Sequence, residues 1–180
     1  VTGDDAAGIT AAVEHLVQLG HRRILHISGP RNFSTSLVRS DAFVAACNAN
    51  PSVGYTVAEA SALSVEVGES CMDTILMAGT KSPTAVVAGN DLLALGVLRS
   101  LRAHGLQCPD DISVVGFNDM PFAEDFQPAL TTVRVPHLRF GSESARLLLE
   151  GIETGVQTPI TITLPVSLIV RGSTATPRHA

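Results

Sequence analysis

The chain has no tryptophan, one tyrosine and six phenylalanines among 180 residues, so its interior cannot rest on large rings. With 45% of residues hydrophobic, that interior has to be built from Val, Leu, Ile and Ala, which suits a layered sheet flanked by helices. Three cysteines, Cys47, Cys71 and Cys108, are odd in number, widely spaced and form no CxxC pair. No disulfide scaffold or metal site is implied, and a reducing, cytoplasmic compartment is expected. Positive charge is scarce as well: 12 Lys and Arg against 17 Asp and Glu leave a net charge of -5. Such a chain lacks the broad basic field that phosphate contacts need, so it should not bind DNA by itself. No apolar run reaches the ~18 residues of a membrane span, and no signal-like segment opens the sequence. It begins at Val1 without a methionine, which is expected of a piece cut from a longer protein.

What is present is a rhythm. "DDAAGITAAVEHLVQLG" offers Asp4 or Asp5 as an N-cap, places Ile9, Val13, Leu16 and Val17 at helical spacing and stops at Gly20. "RILHISGP" reads as a strand, followed by a helix through Leu37, Phe43, Val44 and Cys47. A weakly alternating strand near a sheet edge, "GYTVAEAS", precedes a helix with Val67, Cys71, Ile75 and Leu76 on one face. Then come strand "TAVVAG", a helix capped by Asn90 or Asp91 and ended at Gly105, and strand "ISVVGF". Alternating apolar strands and helices predict a doubly wound α/β fold, a parallel sheet with helices on both faces. Beyond Phe117 lie a polar loop, the strand-like "TTVRVP", a helix over 138–152 with Leu138, Ala145, Leu148, Leu149 and Ile152 on one face, and an extended region in "ITITLPVSLIVRG". The tail "STATPRHA" is expected to be disordered.

In open α/β sheets, ligands bind outside the carboxyl ends of the strands. Three inferred strands finish there with polar material: Gly29-Pro30 followed by Arg39, then Asn90-Asp91, then Asn118-Asp119. The planar fork of an arginine suits hydroxyls, carboxylates or phosphates, and Asn or Asp can either cap a helix or meet a ligand. His15, His21, His26 and His104 share no spacing that assembles a metal site. Ser34, Thr35 and Ser36 form a hydroxyl-rich loop without a phosphate cradle or nucleophile elbow, and no strand leads into a GxGxxG or Walker-type loop. No catalytic group and no cofactor are therefore assigned.

The runs "HLVQLGHRRILHISGP", Arg39, "PTAVVAGNDLLALGVLRSLRAHGLQCPDDISVVGFND", "PALTTVRVP" and "LIVRGST", in this order, resemble the LacI/GalR family of bacterial transcription regulators over nearly the whole chain. The resemblance implies a two-lobed effector-binding domain of the periplasmic-binding-protein type I fold. On that footing residues 1–130 supply the C-terminal lobe and 131–160 the crossing and a helix of a truncated N-terminal lobe. Residues 161–172 supply the closing strand and 173–180 the disordered tail. The effector, a carbohydrate-like metabolite, is expected to meet Arg39, Asn90 and Asn118, with Leu63 and His137 at positions that often carry an aromatic ring and Thr35 as a further contact. Asp91 is expected to cap its helix and leave Asn90 facing the effector, and Asp119 to be structural. Homodimerisation and operator binding through an absent helix-turn-helix are implied, with no membrane partner. The alternative is a solute-binding protein of a sugar transporter, which shares the scaffold.

Two departures from the family pattern matter. "GFND" puts neutral Asn118 where a carboxylate usually stands, and Leu63 offers no π face. An Arg39 left without a counter-charge predicts a pocket tolerant of anionic effectors. The absence of most of one lobe also strands the apolar face of the 138–152 helix. That face is expected to repack onto this lobe or to exchange with a neighbouring chain, and half a pocket is expected to bind effector poorly.

Overall fold

The computed structural model describes residues 1–79, 82–155 and 159–178. The elements run β1 (Thr2–Gly3), α1 (Asp5–Gln18), β2 (Arg23–Ser28), α2 (Ser34–Asn48), β3 (Gly54–Glu59), α3 (Val65–Met77), β4 (Ala85–Ala88) and α4 (Asp91–Ala103). They continue with β5 (Ser113–Asn118), a 3-10 turn at Ala123–Asp125, β6 (Thr131–Arg134), α5 (His137–Thr154), β7 (Thr163–Leu164) and β8 (Ser167–Ile169). Six strands form one sheet in the order β3-β2-β4-β5-β6-β8, parallel except for β8, which runs antiparallel to β6. The doubly wound α/β fold read from the sequence is the fold observed.

The period of two along each strand divides the interior into two cores. Leu25, Ile27, Val86, Ala88 and Val114 face α3 and α4, where they meet Met72, Leu93 and Val97. Their neighbours Ile24, Val87, Val115 and Phe117 face α1 and α2, where they meet Ile9, Val13, Leu16 and Phe43. Helices α3 and α4 approach so closely that a Cβ on Gly96 would lie 2.1 Å from the Val65 carbonyl oxygen, and one on Gly68 would lie 2.5 Å from that of Leu93. Gly20 and Gly105 end their helices with φ of 100° and 71°, as their sequence positions suggested.

The end of the chain departs from expectation. Strand β6 is an integral member of the sheet, paired with β5 from Thr131 to Arg134. The closing segment splits in two: β7 pairs with β1 outside the main sheet, and only β8 joins it. The tail expected to be disordered is held through residue 178. Ser173 is fully buried, accepting from Thr131 N–H at 2.8 Å and donating to Val114 O at 2.6 Å, while Ala175 O lies 2.9 Å from His21 Nε2. Small hydroxylated side chains replace strand pairing here, a signal that composition hides.

The 138–152 helix did not repack onto this lobe. No residue of α5 is buried, and Leu138 is 93% and Ile152 69% exposed. Both faces of the main sheet are already covered, one by α1 and α2 and the other by α3 and α4. Its polar side is laced by Arg146, paired with Glu143 at 2.9 Å and Glu150 at 2.8 Å.

Candidate functional site

Three polar doublets meet the carboxyl edge of the sheet or the helix beside it, and in each the second residue does something the first does not. At the start of α1, Asp4 is the N-cap, accepting from Ala7 N–H at 3.0 Å, which leaves Asp5 free. At the start of α4, Asn90 is the cap, accepting from Leu93 N–H at 2.8 Å. This reverses the expectation that Asp91 caps while Asn90 faces an effector. Asp91 is fully buried, accepting from Thr132 Oγ1 at 2.6 Å and from Met120 N–H at 2.7 Å. It lies over Gly116, where a Cβ would come within 2.3 Å of its Oδ1. Burial pushes its carboxyl pKa up from the ordinary value, and these hydrogen bonds oppose the shift. The physical reason for the reversal is position: the first residue of the pair keeps extended backbone and can reach forward to its helix, whereas the second is already helical and points into the sheet.

Arg39 emerges from α2 into the same region. Its Nη1 donates to Gly89 O at 2.7 Å, its Nη2 lies 3.2 Å from Asp5 Oδ1, and its guanidinium carbon sits 3.8 Å from the centre of the Phe117 ring. Burial lowers its pKa and the Asp5 carboxylate opposes that. The expectation of an uncompensated Arg39 is therefore overturned: the neutral Asn118 removes one carboxylate, but Asp5 supplies another. Asp5 was missed as a site residue. The sequence carried a signal, since a doublet of aspartates exceeds what one cap requires.

A cavity of about 490 Å³ opens here, lined among others by Asp5, Thr35, Arg39, Asn118, His137 and Phe140. Of the six residues predicted from the sequence, Arg39, Asn118, Thr35 and His137 are brought together. Asn90 and Leu63 do not line it. Leu63 lies instead across Gly29, where a Cβ would fall 2.6 Å from its Cδ2, and packs on the α3–α4 side of the core. His137 Nε2 approaches Asn118 O at 3.2 Å, joining the first residue of α5 to the end of β5. Thr2 and Gly3 of β1 close the cavity's far side. Among the described side chains that line it, Asp5 and Arg39 are the acidic and the basic one, and the balance suits an uncharged ligand rich in hydroxyls with an apolar face for Val38, Val135 and Phe140. Among the described residues no cluster of His, Cys, Asp and Glu could hold a metal ion.

Residues 13–174 match the family model for a periplasmic binding protein-like domain. The chain is 36% identical over 183 residues to the HTH-type transcriptional regulator reg1 of Streptomyces lividans, covering 97% of this chain and 52% of that protein. The structure of a dimeric lac repressor superposes with a TM-score of 0.91 at 30% identity, covering 97% of this chain and 64% of that one. The chain belongs to the LacI family of transcriptional regulators. A LacI-family regulator from Enterococcus faecalis with bound ribose also superposes, with a TM-score of 0.86 at 30% identity over 97% of this chain and 62% of that one. This LacI-family chain spans about half the length of the curated relative it matches.

No helix among the described residues is long and apolar enough to cross a membrane. The histidines left unassigned by sequence prove structural: His21 is buried between Thr84 and Ser113 at 3.0 and 3.1 Å, and His26 stacks on Phe43 at 4.9 Å.

Proposed function

We propose that this chain is most of the ligand-sensing part of a bacterial transcriptional regulator of the cytoplasm, binding a neutral carbohydrate or related polyol in the cavity beside Arg39. The observation that carries the reading is the convergence of Arg39, Asp5, Thr35, Asn118 and His137, from four separate elements, on one cavity at the carboxyl edge of the sheet. The charge balance of Asp5 against Arg39 supports an uncharged effector over the anionic one that the sequence suggested. The main sheet with α1 to α4 acts as one lobe; α5, with β1 and β7, contributes to a second lobe completed by further chain, which covers the apolar face of α5. The effector then shifts the relative arrangement of the lobes by its differential affinity for the two arrangements, and DNA affinity follows by linkage. The protein works as a homodimer on operator DNA through a separate helix-turn-helix, and it performs no chemistry on the effector. The regulator reading is preferred to a transporter's binding protein because the matched relatives are named as HTH-type regulators.

A thermal-shift comparison of the full-length protein with glucose against gluconate, and ribose against ribose 5-phosphate, tests the reading. Stabilisation by the neutral member of a pair supports it. Stabilisation by the acidic members alone, or by none, counts against it.

A further inference from the structure

The turn after β5 is tied down more heavily than the end of a strand requires. Asn118 and Asp119 are consecutive non-glycine residues with φ of 111° and 53°, where a Cβ brings strain that the surroundings must offset. The Asp119 side chain is 7% exposed and meets two arginines: Arg134 Nε at 2.6 Å through Oδ2 and Arg171 Nη2 at 2.7 Å through Oδ1. One arginine would neutralise the carboxylate. The two lie on different passages of the chain with different destinations. Arg134 ends β6, which leads through Pro136 into α5, and Arg171 follows β8, by which the chain returns from β7. Arg171 is itself fixed, with Nη1 donating to Leu130 O at 2.8 Å and its backbone N–H to Thr131 Oγ1 at 2.9 Å. The other side of the turn is held by Asp91, through Met120 N–H, and by the contact of His137 with Asn118 O.

We propose that Asp119 is a positioning residue of the effector site, a single carboxylate that fixes the orientation of Asn118 and the two strands joining this sheet to α5 and β7 as one unit. The inference rests on the reading above, in which Asn118 meets the effector. Asp119 does not line the cavity, so it acts through its neighbour. Asn118 keeps its positive φ only while the next residue is anchored, and the anchor is shared by the strands whose angle changes if the lobes move. A change in either is felt by the other through one charge-assisted hydrogen bond, from Arg134 Nε, and one close ion pair, with Arg171.

The test uses the full-length protein and isothermal titration with ribose, glucose and maltose. Asp119→Asn keeps the shape and removes the charge; Arg134→Gln removes one arm at a side chain that is 53% exposed, so the fold survives it. His21→Gln, at the opposite edge of the sheet, lowers the melting temperature without touching the cavity. Asp119→Asn is expected to weaken binding about tenfold or more and Arg134→Gln about threefold, with His21→Gln unchanged in affinity. Wild-type affinity in both Asp119→Asn and Arg134→Gln overturns the proposal and leaves the sensor reading standing. An equal loss of affinity in His21→Gln also overturns it, because stability alone would then explain the effect. Failure of all three sugars to bind the wild type overturns the sensor reading and this proposal with it. Should Asp119→Asn not fold, Arg134→Gln decides alone.

Discussion

Asp5 and Arg39, 34 residues apart in the chain, meet at 3.2 Å with side chains only 11% and 10% exposed. The pair carries the opposed charges of the cavity, and removing one partner strands the other. Asp5→Ala is expected to destabilise the fold by about 3 kcal/mol, the cost of an uncompensated, largely buried guanidinium. Urea unfolding measures it; a loss below about 1 kcal/mol would mean that Gly89 O and the Phe117 ring suffice to hold Arg39.

The division of labour between Asn90 and Asp91 separates by substitution. Asn90→Asp should be nearly neutral, since aspartate caps as well as asparagine, and Asn90→Ala should cost about 1 kcal/mol. Asp91→Ala should cost more, about 2–4 kcal/mol, because it leaves both the Thr132 hydroxyl and the Met120 N–H without their acceptor. Equilibrium unfolding of the three variants side by side would reveal a reversed ranking.

Gly96→Ala adds one methyl group where α4 meets α3, 2.1 Å from the Val65 carbonyl oxygen and 2.5 Å from the Glu69 nitrogen. Neither is a flexible side-chain end. The helices must separate, and a loss of about 2–3 kcal/mol is expected in place of the gain that Gly→Ala gives in an open helix. A calorimetric melting temperature at or above the wild type would refute that closeness.

Burial holds the His26 pKa at about 4, against an ordinary value of 6.5. Its Nδ1 donates to Val87 O at 2.8 Å, and a second proton would place an unpartnered N–H in the dry space beside Phe43 and near Arg39. The unfolded chain therefore binds the proton that the folded chain refuses. Stability is fully present above pH 6.5 and falls as pH drops toward 4, by about 3 kcal/mol from this residue. His15 and His21, also lowered by burial, act in the same direction. Unfolding free energies at stepped pH should show the decline, and His26→Gln should flatten it.

The layered fold was legible because apolar strands and capped helices alternate without interruption from Asp5 to Phe117, and the two faces follow from strand periodicity alone. Part of the cavity was legible too: Arg39 and Asn118 stand at strand ends where ligands gather. What the chain's order concealed was pairing across distance. Nothing local to Asp5 announces Arg39, and Leu63 reads as a pocket position only if the loop after β3 reaches the cavity, whereas here it folds over Gly29. The tail was misjudged because Ser173, Thr174 and Ala175 resemble a solvated terminus in composition, although their hydroxyl and backbone groups complete the far edge of the sheet. Alpha-helix 5 was recognised as apolar on one side, but amphipathicity does not say whether a receiving surface exists.

The small ladder of β1 with β7 has a mechanical consequence. Between it and the main sheet the backbone passes three times, at Asp4, at Val135–Pro136 and at Pro165–Val166. A body on three short tethers pivots more readily than it slides sideways or pulls away. Such a tethering favours rotation of the small ladder about the three links, a motion that carries the distant end of α5 furthest.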